Sequence, residues 1–174
     1  MNNAYPEKPL LQYRRTPIEM AAIIAAINSI EANVEIKRMA YIMIRNESGN
    51  GKSFFNYNGA GFQADGNRWP SVYDKLIAGV VKKVENGTGI QRLFLAFYNV
   101  SGCLSILFSR IAGRGLYVGG MTHQIWANHY VKDVNDLCLA YQKEWVKGSV
   151  DAVPTAQEKA NFISMYNQAE KLFM

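Results

Sequence analysis

The stretch from Gly49 to Gly66 limits the fold most, because five glycines fall in it, at 49, 51, 59, 61 and 66, directly after a strongly helical run. Glycine admits left-handed backbone geometry and weakens helix, so the helix ending at Glu47-Ser48 stops at Gly49. Asn58-Gly59 stands between aromatic-rich segments, the pattern of a hairpin turn. The expectation is a helix from about Ala32 to Glu47, followed by an irregular, polar and aromatic hairpin from about Phe54 to Trp69.

Glu47 is the residue that this layout singles out. Counting back by helical steps reaches Met43, Ala40 and Ile36, which puts the carboxylate on the apolar stripe of its helix. An acid held there is poorly solvated. Desolvation disfavours the charged form and leaves a carboxyl ready to donate a proton to a leaving group. The plainer alternative is a Glu that ends a helix and reaches solvent.

The remaining pattern is mostly helical. Residues 1–15 contain Pro6 and Pro9 and read as an extended arm, and 16–174 as one domain. Thr16-Pro17-Ile18-Glu19 has the form of a capping box opening a helix to Ser29. Pro70 to Lys75 opens a third helix, interrupted at Asn86-Gly87-Thr88-Gly89. Residues 92–110 are expected as a long apolar helix bent at Gly102, 113–120 as a glycine-rich loop, and 122–147 as one or two helices. Pro154-Thr155 starts an amphipathic helix to Met174, with Ala156, Ala160, Ile163, Tyr166 and Leu172 on one side. The fold class expected is mainly α (α+β), with one small β-hairpin.

At 174 residues, 49 % hydrophobic and 19 % charged, the chain suits one globular domain with a sizeable core. Met20–Ile27, the longest apolar run, is too short to cross a bilayer, and residues 1–15 lack the apolar centre of a secretory signal. No membrane insertion and no signal peptide are expected. The net charge of +5 suits an anionic polymer, but the pairs Arg14-Arg15, Lys37-Arg38, Lys82-Lys83 and Arg110/Arg114 form no dense basic stripe, which argues against nucleic acid. Cys103 and Cys138 lie in apolar stretches and read as buried free thiols. His123 and His129 have no zinc-type companions, and Gly113–Gly120 lacks the Lys-Ser or Lys-Thr of a phosphate loop. No metal and no cofactor are expected.

The Glu47-Ser48-Gly49 helix end, the Gly59-Ala60-Gly61-Phe62-Gln63 segment and the later Leu95-Ala96-Phe97-Tyr98-Asn99 together resemble the lysozyme-like superfamily over roughly residues 30–145. In lytic transglycosylases a Glu-Ser helix end precedes a Gly-x-Gln-type segment and an Ala-Tyr-Asn segment, matched in order by Glu47, Gln63 and Tyr98-Asn99. In bacterial glucosaminidases of the flagellar and autolysin type, Glu-Ser-Gly-x-Gly-x-Ser precedes an Asn-rich hairpin, and Glu47 through Ser53 fits this more closely. Here Val100-Ser101-Gly102 replaces the usual Ala-Gly after Tyr-Asn, and Gly61-Phe62-Gln63 replaces the glucosaminidase ending after Asn58.

The resemblance implies a lysozyme-like helical domain, its hairpin beside an active-site cleft, that cleaves the β-1,4 glycan strand of peptidoglycan at the bacterial cell wall. Glu47 is then the general acid/base, with Asp65 and Tyr98 as further catalytic candidates. Ser48, Tyr57, Asn58, Phe62, Gln63, Asn99 and Tyr117 are candidates for substrate binding. Without a leader, such an enzyme reaches the wall by phage lysis, in a phage particle or by dedicated secretion, or the chain is a trimmed piece. A monomer is expected. An inverting hydrolase needs a second carboxylate about 6.5–9.5 Å from the acid and a retaining one at about 5–5.5 Å. Asp65 is the first choice, though Gly66-Asn67 also makes it an ordinary turn residue; Asp74 reads as an acid near a helix start, where the dipole favours it, and Glu85 precedes a turn. A lytic transglycosylase needs Glu47 alone. Gln63 is suited to an N-acetyl group or to the acid itself, Tyr98 to charge near the anomeric carbon and Asn99 to the backbone of the site. Tyr57, Phe62 and Trp69 are sugar platforms or core aromatics alike. The alternative function is an inactive lysozyme-like module that binds the wall within a phage particle or secretion apparatus.

Overall fold

Residues 77–85 and 92–97, expected as helix on either side of an interruption, lie in a β-hairpin. A computed structural model of the chain describes residues 2–122 and 129–174. In it β2 (Ile77–Val84) pairs antiparallel with β3 (Gln91–Phe97), Ile77 opposite Phe97 and Val84 opposite Gln91. Asn86-Gly87-Thr88-Gly89 lies in the connection between the strands, where the Glu85 N–H donates to the Ile90 carbonyl at 2.8 Å. The run from Leu93 to Phe97 is buried at every position. A short apolar run without alternation has the same pattern in a buried strand and in a buried helix, which is why periodicity misassigns it.

The expected hairpin over 54–69 is a loop instead. Segment 62–64 docks on β3 through the Ala64 N–H to the Leu93 carbonyl at 2.8 Å and the Leu95 N–H to the Phe62 carbonyl at 2.9 Å. On the sheet's other side β1 (Leu10–Leu11) runs parallel to β2, Leu10 opposite Val80. The extended segment 1–15 thus adds a strand to the sheet. Lys8 Nζ donates to the carbonyls of Asp74 and Ile77, each at 2.8 Å, and Arg68 lies over the Tyr5 ring, 4.5 Å from its centroid.

Among the described residues five α-helices complete an α+β architecture: α1 (Met20–Ser29), α2 (Val34–Ser48), α3 (Val100–Arg114), α4 (Val134–Tyr141) and α5 (Ala156–Leu172). A 3-10 turn over Ser71–Leu76 replaces the third helix expected at Pro70, and a π-helical turn over Gln142–Val146 extends α4. Thr16 does not cap α1, which starts at Met20; its hydroxyl accepts the Tyr57 N–H instead, at 2.9 Å. At the other end of the chain Thr155 and Glu158 do form a capping box on α5.

The chain divides into two compact units, 1–26 with 43–106 and 27–42 with 107–174. The first unit buries Tyr5, Ile23, Phe54, Ile77, Leu95 and Leu104 completely, and Phe55, Val81 and Phe94 form a buried cluster. The second buries Ile27, Met39 and Ile42, with the Tyr41 and Phe173 rings edge-on at 5.8 Å. There Glu35 accepts the Tyr166 hydroxyl at 2.6 Å and pairs with Arg38. Among the described residues no helix is long and apolar enough to cross a membrane.

Candidate functional site

The last turn of α2 sets the position of Glu47. Ile36, Ala40 and Met43 are buried as the stripe predicts, yet Glu47 is exposed. Ile44 and Ser48 fix the inward direction at this end of the helix, and Glu47 is rotated about 100° from Ser48. The expectation of a desolvated acid is therefore corrected: the carboxylate faces solvent. Its backbone is held firmly. Ser48, expected to bind substrate, is fully buried; its hydroxyl donates to the Ile44 carbonyl and accepts the Gly51 N–H at 2.8 Å. The Ser48 carbonyl accepts the Ser53 N–H at 2.9 Å and the Ser53 hydroxyl at 2.7 Å.

Gly51 completes the turn with φ +85°, its N–H on Ser48 and its carbonyl accepting the Ile18 N–H at 3.0 Å. A Cβ on Gly51 would lie 2.0 Å from the Ile18 carbonyl oxygen. Gly59 packs on the Phe54 ring, where a Cβ would come within 2.2 Å of a ring carbon. These contacts supply a reason for the glycines beyond ending the helix.

Between them Asn56 (φ 45°) and Tyr57 (φ 58°) adopt left-handed backbone. Outside glycine this costs about 1–2 kcal/mol per residue, less for Asn and Asp, and bulky side chains rarely adopt it. The Tyr57 ring is half-buried. Asn58, expected at the substrate, is fully buried and works as a strut: Nδ2 donates to the carbonyls of Phe62 and Leu95, and Oδ1 accepts the Phe62 N–H, all within 3.0 Å. Phe62 is also core and no exposed platform, its ring edge-on to Trp69 at 5.1 Å and to Phe97 at 6.4 Å. The carboxamide of Asn58 satisfies groups that a sheet ladder would otherwise pair, which places it inside.

Asp65 sits in a fork with Arg92, a residue that the sequence reading passed over. Arg92 Nε and Nη2 reach the two Asp65 oxygens at 3.0 Å each, and the Leu93 N–H adds a third bond at 3.2 Å. Hydrogen bonding to Arg92 holds the Asp65 carboxyl below the usual carboxylate range; burial opposes it less strongly, and the Leu93 amide adds a smaller effect in the same direction as Arg92. Arg92 Nη2 also donates to Gln63 Oε1 at 2.8 Å, while Gln63 Nε2 donates to Glu85 at 3.3 Å. Both polar ends of the Gln63 side chain are engaged in this cluster.

Tyr98, 64 % exposed, stands at the junction of β3 and α3. Asn99 caps α3, its Oδ1 accepting the Gly102 N–H at 3.2 Å, a local use of the amide that an N-terminal Asn commonly has. Tyr117 belongs to the second unit and is half-buried. The first unit therefore joins Asn58, Phe62, Gln63 and Asp65 to β3 and leaves Glu47 and Tyr98 exposed. Asn56, missed in the sequence, is the hub of the loop, and its one legible signal is that Asn tolerates left-handed geometry.

Cys103 and Cys138 are buried free thiols, and burial pushes each up to about 11. Among the described residues no group of three or more His, Cys, Asp or Glu is arranged to hold a metal ion. His123 lies outside the described residues. Compared with known proteins, the chain matches no family model, no curated protein and no solved structure.

Proposed function

We propose that this chain cleaves the β-1,4 glycan strand of peptidoglycan with Glu47 as its one acid-base group. The observation that carries the reading is an exposed Glu47 on a backbone pinned from beneath by the buried Ser48 and Gly51, since Ser48, Gly51 and Ser53 fix the helix end through four hydrogen bonds. A general acid must first be within reach of its substrate and then be held there.

The pairing of Asp65 with Arg92 favours the route that needs no second carboxylate. Glu47 gives its proton to the glycosidic oxygen as the bond from the anomeric carbon to that oxygen breaks. The resulting carboxylate takes the proton of the sugar's own 6-hydroxyl while that oxygen bonds to the anomeric carbon. A 1,6-anhydro ring closes and the acid is regenerated, so no water is consumed. Tyr98 offers an exposed hydroxyl for the charge that develops at the anomeric centre.

Digestion of purified peptidoglycan by wild type and by Glu47→Gln, with products resolved by mass, tests this. Anhydro-muropeptides from wild type alone are expected. Reducing-end sugars would replace the one-carboxylate route with hydrolysis, and no digestion by wild type would sink the enzyme reading in favour of a wall-binding module.

A further inference from the structure

We infer that Asn56 is a positioning residue of this site: together with the segment Gln12–Thr16 it holds Tyr57 in the left-handed conformation from which its ring meets the sugar chain. The inference rests on the proposed glycan substrate and adds to it a specificity contact and the device that sets it.

Four hydrogen bonds converge on Asn56, which is nearly buried. Its Oδ1 accepts the Arg14 N–H at 2.9 Å and its Nδ2 donates to the Gln12 carbonyl at 3.0 Å. Its own N–H donates to the Arg14 carbonyl and its carbonyl accepts the Phe97 N–H, both at 2.9 Å. The carboxamide imitates a peptide group and gives Arg14 the partner that a neighbouring strand would supply. Among the described residues Tyr57 has far less of its own, one backbone bond from its N–H to the Thr16 hydroxyl at 2.9 Å. A tyrosine has no local preference for φ 58°, so its neighbours impose that geometry.

Those neighbours come from the N-terminal segment. Thr16 N–H donates to the Phe54 carbonyl at 2.9 Å, Arg15 Nη2 to the Lys52 carbonyl at 3.1 Å, and the Tyr13 ring stacks on Phe55 at 5.8 Å. The bond from Phe97 to Asn56 links this loop to the residue just before the exposed Tyr98. A half-buried tyrosine in a strained, clamped turn is pre-set to stack on a sugar face without reordering on binding.

A double-mutant cycle tests the inference: Asn56→Gly, Tyr57→Ala and the pair, read as KM and kcat on soluble glycan strands and as co-sedimentation with insoluble peptidoglycan. Glycine accepts the backbone angle but loses both side-chain bonds. Asn56→Gly should weaken substrate affinity about tenfold, chiefly in KM, yet by less than about twofold when Tyr57 is already Ala. A merely structural role would weaken both backgrounds equally, and that additive result would overturn the inference. Asn56→Asp keeps the Arg14 acceptor and loses the donor to Gln12, so its effect should fall between wild type and glycine; it replaces Asn56→Gly in the cycle if that variant does not fold. A wild type that neither digests nor co-sediments with peptidoglycan would remove the proposed substrate, and this inference with it. A wild type active in an additive cycle would remove this inference alone.

Discussion

The loop over residues 49–69 and helix α5 are both rich in polar side chains, and they use them in opposite ways. On α5 the backbone bonds itself, so Lys159, Asn161, Asn167 and Lys171 stay in solvent while Phe162, Tyr166 and Ala169 are buried. In the loop the backbone lacks a ladder along most of its length. Ser48 just before it, and Asn56, Asn58 and Asp65 within it, turn inward to satisfy main-chain groups. Polarity therefore marks the outside of a regular element and the inside of an irregular one.

Asn58→Ala should break this contrast most sharply. It strips three hydrogen bonds from a fully buried position, takes the Asn58 partner from the Phe62 N–H and the Leu95 carbonyl, and should cost about 3 kcal/mol or more in chemical denaturation. Gln157→Ala on the exposed face of α5 should stay within about 0.5 kcal/mol. Equal losses at the two sites would erase the contrast.

Asp65→Asn probes the same loop by pH. Because Arg92 lowers the folded carboxyl below its unfolded value, the stabilisation is complete above the unfolded pKa and is lost as pH falls through the folded one. Wild type should lose stability on acidification below about pH 4, and the variant should lack that part of the loss. At neutral pH the variant should be less stable by about 1–3 kcal/mol, the range for leaving a buried donor such as the Leu93 amide poorly paired. Identical acid limbs in thermal melts of the two proteins would refute the assignment.

A smaller effect belongs to α5. Thr155→Ala removes the acceptor of the Glu158 N–H and should cost about 1 kcal/mol, detectable as a lower urea midpoint at unchanged slope. A shift as large as that of Asn58→Ala would mean that α5 depends on its cap more than on its buried face.

These contrasts also explain what could be read from the residues alone. The helical run ending at Gly49 and the helix after Thr155 were legible, because helix ends and caps are local signals; the packed side expected on the last helix was not, since Ala156, Ala160 and Leu172 are exposed and Phe162 and Ala169 are buried with Tyr166. Strand β3 was not: Leu93–Phe97 is apolar at each position, and nothing local separates a buried strand from a buried helix. Asn86-Gly87, read as an interruption, was the turn that should have decided for a hairpin. Thr16 met the rule for a helix cap but serves Tyr57, a partner distant in sequence. At the candidate site Glu47 was legible as the end of a helix, whereas its exposure depends on which of two adjacent residues faces inward. Asn56, Arg92 and the buried role of Asn58 rest on contacts across the sheet that no spacing encodes.

The parallel pairing of β1 with β2 orders events in time. Leu10 is synthesised long before Val80, the residue it lies beside, so Leu10 and Leu11 wait for β2 before their strand pairing can form. Gln12 to Thr16 have partners sooner, because Asn56 and Tyr57 precede β2 in the chain. The bond from the Phe97 N–H to the Asn56 carbonyl needs β3, so it is the last of these contacts that the turn can make.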